Sequence, residues 1–113
     1  ACAACHAEAH ASWKTSRHSD ALATLRAVGK DFDPECLQCH VVGLHENGFL
    51  STQLTPHLAN VQCENCHGPA RVHLQNPLQH PPRDPRQACV SCHQGSHSPG
   101  FDFSTYWPQI LHK

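Results

Sequence analysis

Cys2-Ala3-Ala4-Cys5-His6 stands at the head of the chain, and its pattern returns as Cys36-Leu37-Gln38-Cys39-His40, Cys63-Glu64-Asn65-Cys66-His67 and Cys89-Val90-Ser91-Cys92-His93. These four segments take up all eight cysteines of the 113 residues. A CxxC pair alone suits a zinc ribbon or a redox dithiol equally well. A histidine directly after every pair decides between the readings, because C-x-x-C-H is the attachment signature of c-type haem. The two thiols add to the two vinyl groups on one porphyrin edge, and the adjacent imidazole then lies under the iron as its proximal ligand. Four motifs predict four covalent c-type haems, held by Cys2, Cys5 and His6; by Cys36, Cys39 and His40; by Cys63, Cys66 and His67; and by Cys89, Cys92 and His93. The same reading leaves no cysteine for zinc or for disulfides.

The composition around the motifs agrees with that load. Apolar residues are 39% of the chain and aromatics 6%, with nine prolines and six glycines. So short and apolar-poor a chain cannot build much of a core and needs cofactors to offset its conformational entropy. Four haems leave about 28 residues for each, so the macrocycles must form most of the apolar interior and lie against one another. The expected fold is mostly α with extensive loops and little or no β, one small tetrahaem domain over residues 1–113 wrapped around four closely packed haems. A formal charge of −1, with Lys and Arg scattered singly, speaks against nucleic acid as a partner. No apolar run reaches the roughly 18 residues of a membrane span, and no charged-then-apolar leader opens the chain. Ala1 reads as a processed N-terminus or as the edge of a module in a longer cytochrome. Haem attachment takes place outside the cytoplasm, which points to a periplasmic or extracellular, cell-surface address.

Short helices are expected to carry the motifs. Residues 3–17 read as one helix bearing Trp13, and Ala21 to Val28 as a second, capped by Ser19 or Asp20 and stopped by Gly29. Residues 41–60 read as loop with one small hairpin around Gly48-Phe49-Leu50. Asn60 is placed to cap the helix of the third motif, which Gly68-Pro69 should end. Pro77, Pro81, Pro82 and Pro85 mark a wrap without regular structure, after which Asp84-Pro85 starts the helix of the fourth motif. Residues 95–100 read as loop, and residues 104–112 as a last short helix.

The chain has no methionine, so His/Met ligation of iron is excluded. A sixth ligand from the protein must be His or, as a weaker option, Lys14, Lys30 or Lys113; otherwise the position is open. Beyond the four proximal histidines the sequence offers His10, His18, His45, His57, His73, His80, His97 and His112. Without Met, bis-His haems of low potential are expected. Arg17, Arg26, Arg71, Arg83 and Arg86 are candidates to pair with haem propionates.

Cys2-Ala-Ala-Cys-His followed by Trp13-Lys-Thr-Ser-Arg-His18, then Cys36-Leu-Gln-Cys-His-Val-Val-Gly43 and Val61-Gln-Cys-Glu-Asn-Cys-His-Gly-Pro69 with His73, resembles the multihaem cytochromes of the tetrahaem cytochrome c-554 type. The likeness covers about the first 75 residues. It implies that His18 is the distal ligand of the haem at Cys63 and Cys66, and His73 that of the haem at Cys2 and Cys5. The typical member carries electrons from hydroxylamine oxidation toward the quinone pool, and relatives include parts of larger multihaem enzymes and extracellular conductive filaments. This chain departs from the pattern in having Asp84-Pro-Arg-Gln-Ala, without a histidine, before its last motif, and in offering His57 before its third. Two vacancies then remain, on the second and fourth haems. His57 and His112, the latter following an aromatic segment at Tyr106-Trp107, are the expected occupants in an order left open, with a histidine from a neighbouring copy as the competitor.

The function expected is electron transfer without catalysis, between other redox proteins or cytochromes, or end to end along copies of the chain itself. The alternative is the haem domain of a redox enzyme, in which one five-coordinate iron acts on a small nitrogen or sulfur compound.

Overall fold

The structure is a computed structural model and describes residues 1–112. Lys113, weighed above as an iron ligand, lies outside the described residues. Short helices joined by turns make up the chain, and the one β element among the described residues is an antiparallel bridge between Val41 and Ala59. The fold is therefore mostly α with extensive loops. Even the longest helices have only eight residues, too few to be stable alone, so packing and long-range hydrogen bonds must hold them. The chain divides into two compact units, one of residues 1–62 with those from 109 onward and one of residues 63–108.

In the first unit a 3-10 turn at Cys2–Ala4 precedes helix α1 (Ala7–Lys14). The helix expected over residues 3–17 is thus in two pieces, and it stops early for a local reason. The Thr15 and Ser16 hydroxyls donate to the carbonyls of Ser12 and Trp13, at 2.8 and 2.7 Å, competing for the acceptors the next turn would use. His18 consequently sits on the following 3-10 turn (Arg17–Asp20) and not on the helix of Trp13.

Helix α2 (Ala21–Ala27) ends as expected, with Gly29 at φ 69°. Its cap is a correction. Ser19 turns back to donate to the Lys14 and Ser16 carbonyls, at 3.0 and 2.8 Å, and Asp20 makes no side-chain cap. Asn60 Oδ1 instead accepts from the Leu22 amide at 2.8 Å, across 38 residues. Asn60, expected on the third motif's helix, therefore caps α2, from a backbone at φ 74° that asparagine tolerates better than most residues. Helix α3 (Pro34–Leu37) starts at Asp33, whose carboxylate accepts from the Glu35 amide at 3.0 Å.

The hairpin expected in residues 41–60 is absent. Val42 donates to the Leu58 carbonyl at 2.9 Å, and Phe49 to the Val42 carbonyl at 2.8 Å. These bonds fold the segment into a loop that drives Phe49 inward. Gly48 is required there, since a Cβ would meet the Val42 carbonyl oxygen at 2.5 Å. Leu22, Leu25, Leu37, Val41 and Phe49 make the core of this unit.

In the second unit helix α4 (Cys63–His67) ends, as expected, at Gly68 with φ 84°. Helix α5 (Arg71–Gln75) follows, and the proline-rich residues 76–84 carry no helix. They return to the third motif: the Arg83 amide donates to the His67 carbonyl at 3.0 Å, and a Cβ on Gly68 would meet Pro82 Cγ at 3.0 Å. Helix α6 (Pro85–Ala88) starts where expected, with Asp84 Oδ1 accepting from the Arg86 amide at 3.0 Å, and runs on into a 3-10 turn at Cys89–Ser91. A further 3-10 turn (Gly95–His97) interrupts the expected loop. Helix α7 (Phe103–Ile110) is capped by Asp102, which accepts from the Thr105 amide at 3.2 Å; its last two residues are counted with the first unit, and His112 lies beyond its end. Ala70 is the one buried apolar side chain among the described residues of the second unit.

Candidate haem-binding site

Each of the four motifs is wound into a helical turn between its cysteines, although in the second the His40 amide donates to the Leu37 carbonyl, at 2.9 Å, and not to that of Cys36. The amides of Cys5 and His6 donate to the Cys2 carbonyl at 3.2 and 2.9 Å, and those of Cys92 and His93 to the Cys89 carbonyl at 3.2 and 2.8 Å. The Cys39 amide reaches the Cys36 carbonyl at 3.3 Å, and Cys63–His67 is itself helix α4. Residues three apart on a helical turn share a face. The two thiols of each motif therefore leave the backbone on one side, as bonding to one porphyrin edge requires. No disulfide joins any of the eight cysteines, and each is at least partly exposed.

Burial pushes the Cys66 thiol up, and the neighbouring Cys89 and Cys63 sulfurs add to the effect. Cys89 acts on Cys66 because α6 packs against α4, so the second unit brings the third and fourth motifs together. Burial followed by the Asp33 carboxylate raises Cys36 as well. Before any haem is attached, both sulfurs are therefore thiols and not thiolates at neutral pH.

Four histidines, His40, His73, His93 and His112, are oriented through Nδ1. That nitrogen lies 2.7 Å from the Ala21 carbonyl in His40, 2.9 Å from the Gln79 carbonyl in His73 and 2.8 Å from the Ile110 carbonyl in His112. A carbonyl only accepts, so in each neutral ring Nδ1 carries the proton and Nε2 the lone pair, the arrangement of a metal-ligating imidazole. His93 Nδ1 instead meets the Ser98 hydroxyl at 2.9 Å. Its ring stacks on Phe101 (5.0 Å, 18°) and takes the edge of Tyr106 (5.5 Å, 80°). Burial holds His93 below the ordinary imidazole value, which favours the neutral ring a ligand needs.

The remaining candidates are placed as follows. His18 is half-buried, its carbonyl accepting from the Val61 amide at 3.1 Å while Trp13 Nε1 donates to the Val61 carbonyl at 2.7 Å. His57 is exposed on the 3-10 turn Pro56–Leu58, and its carbonyl accepts from Gln62 Nε2 at 2.8 Å. His6 is exposed and His67 half-buried. His10 lies against Trp13, with ring centroids 5.5 Å apart, and His45, His80 and His97 are exposed. Of the arginines, Arg86 already holds Asp84 at 3.2 Å and Arg26 stands 3.9 Å from Asp31. The Nδ1 partners went unseen in the sequence. Three of them are backbone carbonyls, which leave no trace in residue type; Ser98, a polar residue five positions after a motif histidine, was the one signal available.

The donor set fits c-type haem: paired thiols on single turns, and imidazoles with the lone pair on Nε2. A sequence profile of the family described as cytochrome c554 and c-prime matches residues 1–68. The chain belongs to that family. The match takes in the first three motifs of this cytochrome, and the fourth lies beyond it. Cytochrome c-554 of Nitrosomonas europaea (strain ATCC 19718) is 33% identical over 86 residues, 62% of this chain and 37% of that protein. The cytochrome thus spans little more than a third of its relative's length. No solved structure gives a significant match. Family and relative together make the chain a multihaem c-type cytochrome resembling cytochrome c-554.

Proposed function

We infer that this cytochrome carries electrons through four covalently attached, closely packed haems of low potential, exchanging them with other redox proteins or cytochromes in the periplasm or at the cell surface. When bound, haem supplies one-electron exchange at its iron. The chain's own residues do the rest. The eight cysteines of the motifs tether the cofactors, and His6, His40, His67 and His93 are the proximal ligands. His18 and His73, named by the family resemblance, together with His57 and His112, are the distal ligands. The absence of Met from the sequence leaves His as the leading residue type for that position. The carrying observation is that the two cysteines of every motif lie three residues apart on a helical turn, with a histidine directly after. Nδ1 bonding of His73 and His112 to carbonyls supports their role as ligands through Nε2.

The test is spectroscopic. Absorption and electron paramagnetic resonance spectra of the purified holoprotein should contain low-spin haem alone. His57→Ala and His112→Ala should each convert one haem in four to a high-spin form that binds carbon monoxide. A high-spin component already present in the unsubstituted protein would favour an open, enzymatic iron, and two silent substitutions would remove both residues from the ligand set.

A further inference from the structure

Two motif histidines can be compared through the groups that meet their Nδ1, which carries the ring proton when Nε2 is kept for iron, so that both groups accept. His40 donates to the Ala21 carbonyl at 2.7 Å, whereas His93 meets the Ser98 hydroxyl at 2.9 Å. An acceptor on Nδ1–H raises the basicity of Nε2, and the stronger the acceptor, the more electron density a coordinated iron receives. A hydroxyl oxygen is the weaker acceptor of the two, and unlike a carbonyl it also carries a proton of its own.

The surroundings fix this hydroxyl where it is. The His97 amide donates to the Gln94 carbonyl at 3.2 Å, the Ser98 amide to Gly95 at 3.3 Å and the Phe101 amide to Ser98 at 3.1 Å. Gly95 makes the turn possible at φ 54°. The same loop delivers Phe101 onto one face of the His93 ring, and Tyr106 packs edge-on against both, 5.0 Å from Phe101. Serine, phenylalanine and tyrosine together leave the imidazole little freedom to rotate.

We propose that Ser98 is a positioning residue that sets the reduction potential of the haem held by Cys89, Cys92 and His93, acting through the His93 imidazole. The proposal rests on the tetrahaem reading. Iron potentials respond to hydrogen bonding behind the axial ligand, and the Ser98 hydroxyl lies at Nδ1 of this one. Because the hydroxyl donates little density, it holds this haem at a higher potential than a backbone carbonyl would.

The experiment is a redox titration of the holoprotein, with dithionite as reductant, monitored by absorption and accompanied by the intact mass of every sample. Ser98→Ala removes the acceptor and should move one of four one-electron steps upward. Ser98→Asp supplies a stronger acceptor and should move the same step downward. Ser98→Thr keeps the hydroxyl and should leave all four where they are. If Ser98→Ala does not accumulate, a downward step in the Asp variant with none moved in the Thr variant decides. With four haems present by mass, a step that does not move, a shift of the same sign in Ala and Asp, or a displacement of all four steps together overturns the role of Ser98 alone. A mass showing fewer than four haems in the unsubstituted protein overturns the tetrahaem reading, and this proposal with it.

Discussion

The two units of the chain solve the same problem with unequal means. Residues 1–62 bury Leu22, Leu25, Leu37, Val41 and Phe49 against one another. Residues 63–108 bury only Ala70 among their apolar side chains and leave Val72, Leu74, Leu78, Val90 and Phe103 exposed. Each unit nevertheless carries two CxxCH motifs. The difference teaches that a haem-binding chain can share the interior between side chains and cofactor in different proportions. Where side chains are few, backbone ties such as Arg83 to His67 and a proline-rich return do the shaping, and on the proposed reading the macrocycles supply the apolar bulk.

The largest effect that could break this contrast comes from removing tethers. The double variant C63A/C66A should leave residues 63–108 without slowly exchanging amides. In C36A/C39A, by contrast, hydrogen exchange read by mass spectrometry should still find residual protection around Leu22, Leu25 and Val41. Equal loss in both would mean that the five-residue cluster holds nothing by itself.

Next in size are core truncations, measured by denaturant unfolding of the holoprotein. Leu22→Ala empties a site that is 2% exposed and should cost about 2–5 kcal/mol. Leu78→Ala, at a position 90% exposed, should stay within about 0.5 kcal/mol. A large cost at Leu78 would place that side chain inside the haem-filled interior and narrow the difference between the units.

Smaller still is the cap that ties residue 60 to helix α2. Asn60→Ala loses the bond to the Leu22 amide, worth about 0.5–2 kcal/mol, and also forces alanine into a left-handed backbone. Asn60→Gly should be the milder variant by about 1 kcal/mol in the same unfolding assay. If the two are equal, the backbone at residue 60 relaxes and the cap alone matters.

The smallest expected effect lies at the start of α6. Arg86 beside Asp84 holds its carboxyl below the ordinary value, through side-chain and backbone hydrogen bonds first. A carboxyl depressed on folding stabilises above its unfolded value and loses that contribution as pH falls through the folded one. The melting temperature of Asp84→Asn should therefore lie slightly under that of the parent at pH 7. The gap should vanish well below the ordinary carboxyl value of about 3.9. A gap that persists in acid would assign the effect to the cap and not to the charge.

What the sequence discloses follows the range of the interaction. Asp84-Pro85 marks the start of α6 because an acidic cap and a proline at the first helical position act within three residues. Asp33-Pro34-Glu35 carries the same signature for α3 and could have been read in the same way. Gly29 and Gly68 mark helix ends for an equally local reason, a positive φ. Asn60 was misassigned because its partner lies 38 residues away. Helix α5 begins without any side-chain cap, so nothing in the sequence announces it. The four CxxCH motifs are legible as a pattern of residue types. The groups that orient the imidazoles are not, because the carbonyls of Ala21, Gln79 and Ile110 belong to backbone common to every residue.

The measurement that bears most directly on the account is the intact mass of the mature protein before and after acid extraction with organic solvent. Four thioether-bound haems should add about 2.5 kDa to the polypeptide, and the extraction should remove none of it. A chain of 12.5 kDa that carries no haem, or carries zinc, and still keeps this fold would contradict the central claim.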